Sequence, residues 1–343
     1  MKAMILNGIS NLKVNKFPLD LVDIPMPIPI YGEVRIKVLV CGVCHTELDE
    51  IEGRLAPIAF PVVPGHQVVG IVDKLGPGTC KFKKGDRVGV AWIHSACGRC
   101  TFCLEGRENL CDHFKATGKD ANGGYAEYMT VGEKYAHSIP DFFSDIRAAP
   151  LLCAGAIGYR AVQLANIKDG DRVGLTGFGA SAHLVLKLLG YTYPKTRIFV
   201  FARKKEEQAF ARELGAVWAG DTANSSPEKL DSIIDTTPAW KPVVEALANL
   251  KKGGRLVINA IRKEEMDKNY LQKLNYQDHL WMEKEIKSVA NLTAKDIEDF
   301  LVLAAKASIE PKVAVYPLEE ANTALLDLKE RHIKGAKVLK IHR

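Results

Sequence analysis

Two side chains that take soft divalent metals stand close together in the sequence. Cys44, in Cys41-Gly42-Val43-Cys44-His45-Thr46-Glu47, offers a thiolate, and His66, in Gly65-His66-Gln67, offers an imidazole. Zinc accepts both donors readily. Cys153, in Leu151-Leu152-Cys153-Ala154-Gly155, is a third soft donor far along the chain. Three protein ligands leave one position open, which is the arrangement of catalytic rather than structural zinc. A single cysteine is more often a small buried hydrophobe, and Cys41 reads as such a strand-end core thiol. The constellation, not any one residue, points to a metal.

A second thiol group has a different character. Cys97-x-x-Cys100-x-x-Cys103 is followed by Cys111, and four thiolates at this spacing close a tetrahedral site with no open position. The lobe around residues 94–113 therefore reads as structural. A nucleic-acid-binding finger would need a basic helix to enter a groove, whereas Thr101-Phe102-Cys103-Leu104-Glu105-Gly106-Arg107-Glu108 carries mixed charge. Eight cysteines in a cytosolic chain indicate metal or catalysis before disulfides.

Past Cys153 the chemistry changes to phosphate binding. An apolar strand over 171–176 runs into Gly177-Phe178-Gly179-Ala180-Ser181-Ala182 and then an apolar helix over 183–189. Gly177 allows a tight turn, Gly179 lets a pyrophosphate approach the backbone, and Ala182 replaces the third glycine where helix meets strand. The phosphates would rest on the helix N-terminus. Such a motif alone is common. Here a second strand follows at 197–201, a helix at 206–214, and further strands at 232–235 and 255–259. That alternation predicts a doubly wound α/β domain. A carboxylate at the end of the second strand would hold the adenosine ribose hydroxyls of NAD, but Ala202, Arg203 and Lys204 stand there. Arg203 is suited to a 2′-phosphate, so NADP is favoured and NAD remains open.

The segments GVCHTE, GHQ and LLCAG together resemble the zinc-dependent alcohol dehydrogenases of the medium-chain dehydrogenase/reductase family, over nearly the whole chain. The resemblance implies an α/β protein with a GroES-like β-barrel catalytic domain over 1–153 and 291–343. It implies a Rossmann domain over 154–290. It assigns Cys44, His66 and Cys153 to a catalytic zinc and Cys97, Cys100, Cys103 and Cys111 to a structural zinc. Thr46 matches the hydroxyl that accepts the alcohol proton, His45 a cofactor-phosphate contact, and Glu47 the carboxylate that orients the ligand imidazole. Asp49 stands where some members end a proton relay in histidine; a solvated helix charge is the other reading. Gln67 replaces the usual carboxylate and is a possible fourth ligand only through its carbonyl oxygen. Trp92 matches a pocket aromatic, and Ile51 stands where relatives carry Trp, leaving room for alcohols longer than ethanol. Ala336 and Lys337 occupy the place of an arginine that reaches the cofactor.

These residues need two kinds of scaffold. With 343 residues the chain exceeds one core and suggests two domains. Residues 1 to about 150 read as short strands, for example the period-two run Glu33–Val40 and the segments 66–74 and 86–92, with Gly76-Pro77-Gly78 marking a turn. Pro25, Pro27 and Pro29 predict an extended connection. The net charge of +6 comes from 47 basic and 41 acidic residues scattered along the chain, which excludes the concentrated patch of a nucleic-acid binder. No apolar run approaches the roughly 20 residues of a membrane span, and the N-terminus reads as a short strand rather than a signal peptide. The expectation is a cytoplasmic homo-oligomer, dimer or tetramer, interconverting a primary alcohol and its aldehyde. A polyol or secondary-alcohol dehydrogenase of the same family, or a non-catalytic zinc-stabilised nucleotide-binding protein such as a redox sensor, are the alternatives.

Overall fold

The computed structural model describes residues 1–330 and 335–342. The chain divides into two compact units, Met1–Cys153 with Leu292–Arg343, and Ala154–Asn291.

In the first unit β1 (Lys2–Leu6) and β2 (Leu19–Asp23) pair antiparallel. The proline-rich stretch after them carries no helix or strand. β3 (Glu33–Val43) follows, with Val34, Ile36, Val38 and Val40 buried and the residues between them partly exposed, as a pleated strand with one apolar face requires. It leads directly into α1 (His45–Ile51). β4 (Val68–Leu75) and β5 (Arg87–Val90) continue the sheet, and the minor strands β6 (Ile93–Ser95) and β7 (Lys115–Ala116) flank the cysteine-rich lobe with its short α2 (Thr101–Leu104). β8 (Tyr128–Gly132), β9 (Ala136–Ser138) and α3 (Asp145–Ala148) complete this stretch.

The second unit begins with α4 (Ala154–Ala165) and then alternates strand and helix: β10 (Arg172–Thr176), α5 (Ala180–Thr192), β11 (Arg197–Phe201), α6 (Lys205–Glu213), β12 (Trp218–Gly220), β13 (Leu230–Asp235), α7 (Lys241–Asn249), β14 (Leu250–Ile258) and β15 (Glu285–Ser288). All adjacent strands are parallel, in the order β12-β11-β10-β13-β14-β15. Counted within the unit this is the order 3-2-1-4-5-6 of the dinucleotide-binding fold. Phe199, Phe201, Ile233 and Leu256 are fully buried, as parallel strands covered on both faces require.

The chain then returns to the first unit through α8 (Ala294–Lys306), whose N-terminus Thr293 and Asp296 close as a capping box. β16 (Val313–Pro317), α9 (Ala321–Lys329) and β17 (Ala336–Lys340) follow. The sheet order β16-β17-β3-β4-β5-β9, with β8 also on β3, shows the C-terminal strand pairing antiparallel with the strand that ends at the first metal-type cysteine. Among the described residues no single helix is long and apolar enough to cross a membrane.

Candidate active site

The end of β3 and the start of α1 set the site. Cys44 occupies the N-cap of α1 in extended backbone, so its side chain leaves the helix while the next turn begins. His66 precedes β4, and Cys153 closes the first unit. The ligand atoms of Cys44, His66 and Cys153 all lie within 4.8 Å of one another. The two sulfurs are 3.9 Å apart. Two thiolates held tetrahedrally at about 2.3 Å from one zinc ion would stand about 3.8 Å apart, so the cluster has the dimensions of a zinc site. His66 is 1% exposed, and its Nε2 is buried without a hydrogen-bond partner among the described residues. A buried, unpartnered ring nitrogen aimed among thiols has the placement of a metal ligand.

Glu47 holds this arrangement from two sides. Its Oε2 accepts a 2.7 Å hydrogen bond from the Cys44 backbone N–H, closing the first turn of α1. Its Oε1 stands 2.6 Å from His66 Nδ1, close but without the angle of a formed hydrogen bond. Burial alone would lower the pKa of His66, and the adjacent Glu47 carboxylate reverses this and carries it well above the usual range. Burial raises that of Glu47, with His66 opposing. The contact with Cys153 draws the Cys44 thiol well below the ordinary thiol range and pushes the Cys153 thiol up, so Cys44 is the sulfur that ionises first.

The thiols of Cys97, Cys100, Cys103 and Cys111 also lie within 4.8 Å of one another, with Cys97 and Cys103 sulfurs 3.9 Å apart. Backbone N–H groups point at the sulfurs: Cys100 to Cys97 at 3.4 Å, His113 to Cys111 at 3.4 Å and Cys97 to Cys111 at 3.5 Å. The N–H groups of Arg99 and Cys100 bring the Cys97 thiol down to about 6. This donor set stabilises thiolates and leaves no open ligand position.

In the second unit the glycine-rich turn follows β10. Gly177 has φ +75, and a Cβ there would stand 2.8 Å from Thr237 Cγ2, so both backbone strain and space reserve the position for glycine. A Cβ on Gly179 would meet nothing within 4 Å, leaving its backbone open to a ligand at the start of α5. Phe178 turns inward and packs edge-on to Phe210, so only its backbone can meet a phosphate. Ser181 Oγ donates to Ala154 O at 3.0 Å, and Ala182 is fully buried in the packing of α5. Arg203 and Lys204 are exposed between β11 and α6, and Gln208, 3% exposed, fixes that turn by donating to Ala202 O at 2.7 Å.

Residues 31–141 match the model of the alcohol dehydrogenase GroES-like domain. The chain is 41% identical over 329 residues to the probable alcohol dehydrogenase AdhA of Mycobacterium tuberculosis, covering 94% of this chain and 93% of the relative. The chain belongs to the zinc-type medium-chain alcohol dehydrogenase family. An alcohol dehydrogenase of Geobacillus stearothermophilus is 33% identical, covering 95% of this chain and 97% of its own length. A cinnamyl alcohol dehydrogenase from Sorghum bicolor superposes with a TM-score of 0.83 at 26% identity, covering 99% of this chain and 97% of the other.

Around the cluster of this alcohol dehydrogenase, Thr46 is buried with its Oγ1 3.6 Å from Cys44 Sγ, while His45 is exposed at the start of α1. Trp92 stands edge-on to His66 at 4.9 Å between ring centres. Gln67 is buried, and its Oε1 lies 2.4 Å from where a Cβ on Gly42 would sit, so Gly42 makes room for it. Asp49 is not a solvated helix charge. It is 5% exposed, and Arg54 Nε donates to its Oδ1 at 2.6 Å. Ile51 is fully buried within the core of the first unit.

Three residues near the site escaped the sequence reading or were left without a role. Glu50 is 1% exposed, and among the described residues neither of its carboxylate oxygens has a hydrogen-bond partner. Burial, then the Glu47 charge, push its carboxyl well up. The Tyr125 hydroxyl is likewise buried and unpartnered. Lys337 pairs in register with Val43, one residue before Cys44, and burial lowers its amine pKa. The helical offset of Glu50 from Glu47 was the one available signal, since residues three apart share a helix face.

Proposed function

We propose that this alcohol dehydrogenase is zinc-dependent and interconverts primary alcohols and aldehydes reversibly with a nicotinamide cofactor, NADP favoured over NAD. The observation that carries the reading is the Cys44, His66 and Cys153 cluster, whose donor types and 3.9 Å sulfur separation suit zinc while supplying only three protein ligands. When bound, the metal supplies Lewis-acid activation of the alcohol oxygen and the cofactor carries the hydride.

The chain's own residues then have separate tasks. Cys44 and Cys153 supply the two thiolate donors, and Glu47 holds the His66 ring in one orientation. Thr46, whose hydroxyl is beside Cys44, accepts the proton lost by the alcohol. Asp49, whose Oδ1 accepts from Arg54 Nε, is the candidate for the end of the proton relay. His45 is our candidate for a cofactor phosphate. Gln67 provides a neutral oxygen as a possible fourth ligand. Trp92 is the proposed determinant of substrate shape, whereas Ile51, fully buried in the core of the first unit, has no face to offer a substrate. In the second unit the backbone of 177–182 receives the pyrophosphate, and Arg203 with Lys204 binds the 2′-phosphate. The four-cysteine lobe holds a second, structural zinc. Thiols kept free throughout suit a reducing, cytoplasmic setting. The exposed edge strand β15, with all four residues exposed, supports a homo-oligomer formed by pairing with a second copy.

The test is initial-rate oxidation of NADPH and of NADH with one aliphatic and one aromatic aldehyde, with and without a zinc chelator. Chelator-sensitive turnover favouring NADPH is expected. NADH preference would overturn the Arg203 assignment while keeping the enzyme class. No turnover with either cofactor would leave the polyol or non-catalytic reading ahead.

A further inference from the structure

One buried ammonium group fastens the stretch that follows the carboxyl end of β13. Lys263, in the segment after β14, is 8% exposed at its side chain and pairs with Asp235, which is fully buried at the end of β13. Its Nζ also donates to Thr237 O at 2.8 Å and Ala239 O at 3.1 Å, so all three of its protons are used. Asp235 is equally saturated. Its Oδ1 accepts from Thr176 Oγ1 at 2.5 Å, from Thr237 Oγ1 at 2.8 Å and from Thr237 N at 3.2 Å, while Oδ2 takes the ammonium.

This network reaches the phosphate-binding turn through short steps. Thr236 donates to Thr176 O through both its N–H and its hydroxyl, each at 3.0 Å. Thr176 immediately precedes Gly177, and the space where a Gly177 side chain would sit is filled by Thr236 and Thr237. The 259–267 segment is fastened to the same stretch by Asn259 N to Asp235 O and Glu264 N to Pro238 O, both at 2.7 Å, and by Asp267, which accepts from Trp240 N and Lys241 N at the start of α7. In an open parallel sheet the ligand crevice lies outside these strand ends, where the strand order reverses; here that point falls between β10 and β13. A buried ion pair is costly to assemble and contributes little net stability against an apolar replacement, so its presence calls for a role in specifying structure.

We propose that Lys263 is a positioning residue for the nicotinamide cofactor, acting through Asp235 and Thr237 on the turn at Gly177. The inference rests on the proposed cofactor site in the second unit. Lys263 does not need to touch the cofactor. Its three hydrogen bonds hold the 235–239 stretch in the conformation against which the turn is built, so that the turn's backbone is ready when the pyrophosphate arrives.

The experiment compares cofactor dissociation constants, read by calorimetry on the zinc-loaded protein, with steady-state kinetics and melting temperature. Lys263→Met leaves Asp235 buried and unpaired, and is expected to melt earlier and to bind cofactor about tenfold more weakly or worse, the equivalent of one strong hydrogen bond. KM for the cofactor is expected to rise more than kcat falls. The double variant Asp235→Asn/Lys263→Met removes the buried charge, so its melting temperature recovers while cofactor binding stays weak. Cofactor affinity in the double variant within about twofold of wild type would show a merely structural charge balance and overturn the proposal, as would unchanged affinity in a folded Lys263→Met protein. Wild-type protein that binds neither NADPH nor NADH would instead overturn the cofactor site itself, and this inference with it.

Discussion

Glu47 joins the start of α1 to the ring of His66: one carboxylate oxygen caps the helix at Cys44 N while the other stands 2.6 Å from His66 Nδ1. The helix that presents Cys44 and the imidazole that faces it are thereby set by a single side chain. Because both partners are buried, the contact is not diluted by solvent.

Glu47→Gln separates these two tasks. Glutamine at the third helical position still completes a capping box, so the far-ultraviolet circular dichroism should be unchanged. The loss of the carboxylate beside His66 should weaken zinc binding about 10- to 100-fold, measured by competition with a chromogenic chelator. Unaltered zinc affinity would show that Glu47 serves only the helix.

Cys111→Ser should act on the lobe alone. The protein is expected to lose about one zinc equivalent per chain, to keep the other, and to melt at a lower temperature, because closed four-thiolate sites contribute folding energy directly. Metal analysis with a thermal melt checks this. Retention of both equivalents would remove the structural assignment.

Arg203→Ser should raise KM for NADPH about tenfold or more, with much less effect on NADH, since a bidentate guanidinium contact exists only with the 2′-phosphate. A parallel rise for both cofactors would place Arg203 elsewhere.

Glu50→Met should stabilise the apoprotein. A carboxyl without a partner at 1% exposure costs about 1–3 kcal/mol. Its folded pKa is raised, so the ionisation part of the penalty applies above the ordinary glutamate range, where the unfolded chain is ionised, and is lost as pH falls below about 4, leaving the smaller cost of an unpartnered neutral carboxyl. The stability gain of the variant, read by denaturant unfolding, should therefore be larger at pH 7 than near pH 4. A gain independent of pH would point to packing instead.

Much of this architecture was legible in the residues. The alternation of β3 and the strand, glycine turn and helix around Gly177 are local patterns, and their periods follow from backbone geometry alone. The soft donors at Cys44, His66 and Cys153, and the close spacing of Cys97, Cys100, Cys103 and Cys111, state a preference for metal through ligand chemistry that needs no fold.

Tertiary structure decided which polar groups share a buried space. Cys44 and Cys153 are separated by 109 positions, and only the folded first unit brings their sulfurs to 3.9 Å. Asp49 reads locally as a surface charge, yet packing buries it and Arg54 neutralises it. Glu50 and Tyr125 carry no sequence mark of being unpartnered, and Lys263 carries none of meeting Asp235 across 28 residues. Residue type and spacing determine what a side chain can bind. Its partner, and whether water reaches it, depend on contacts between segments distant in the chain, where burial changes the cost of every unpaired charge.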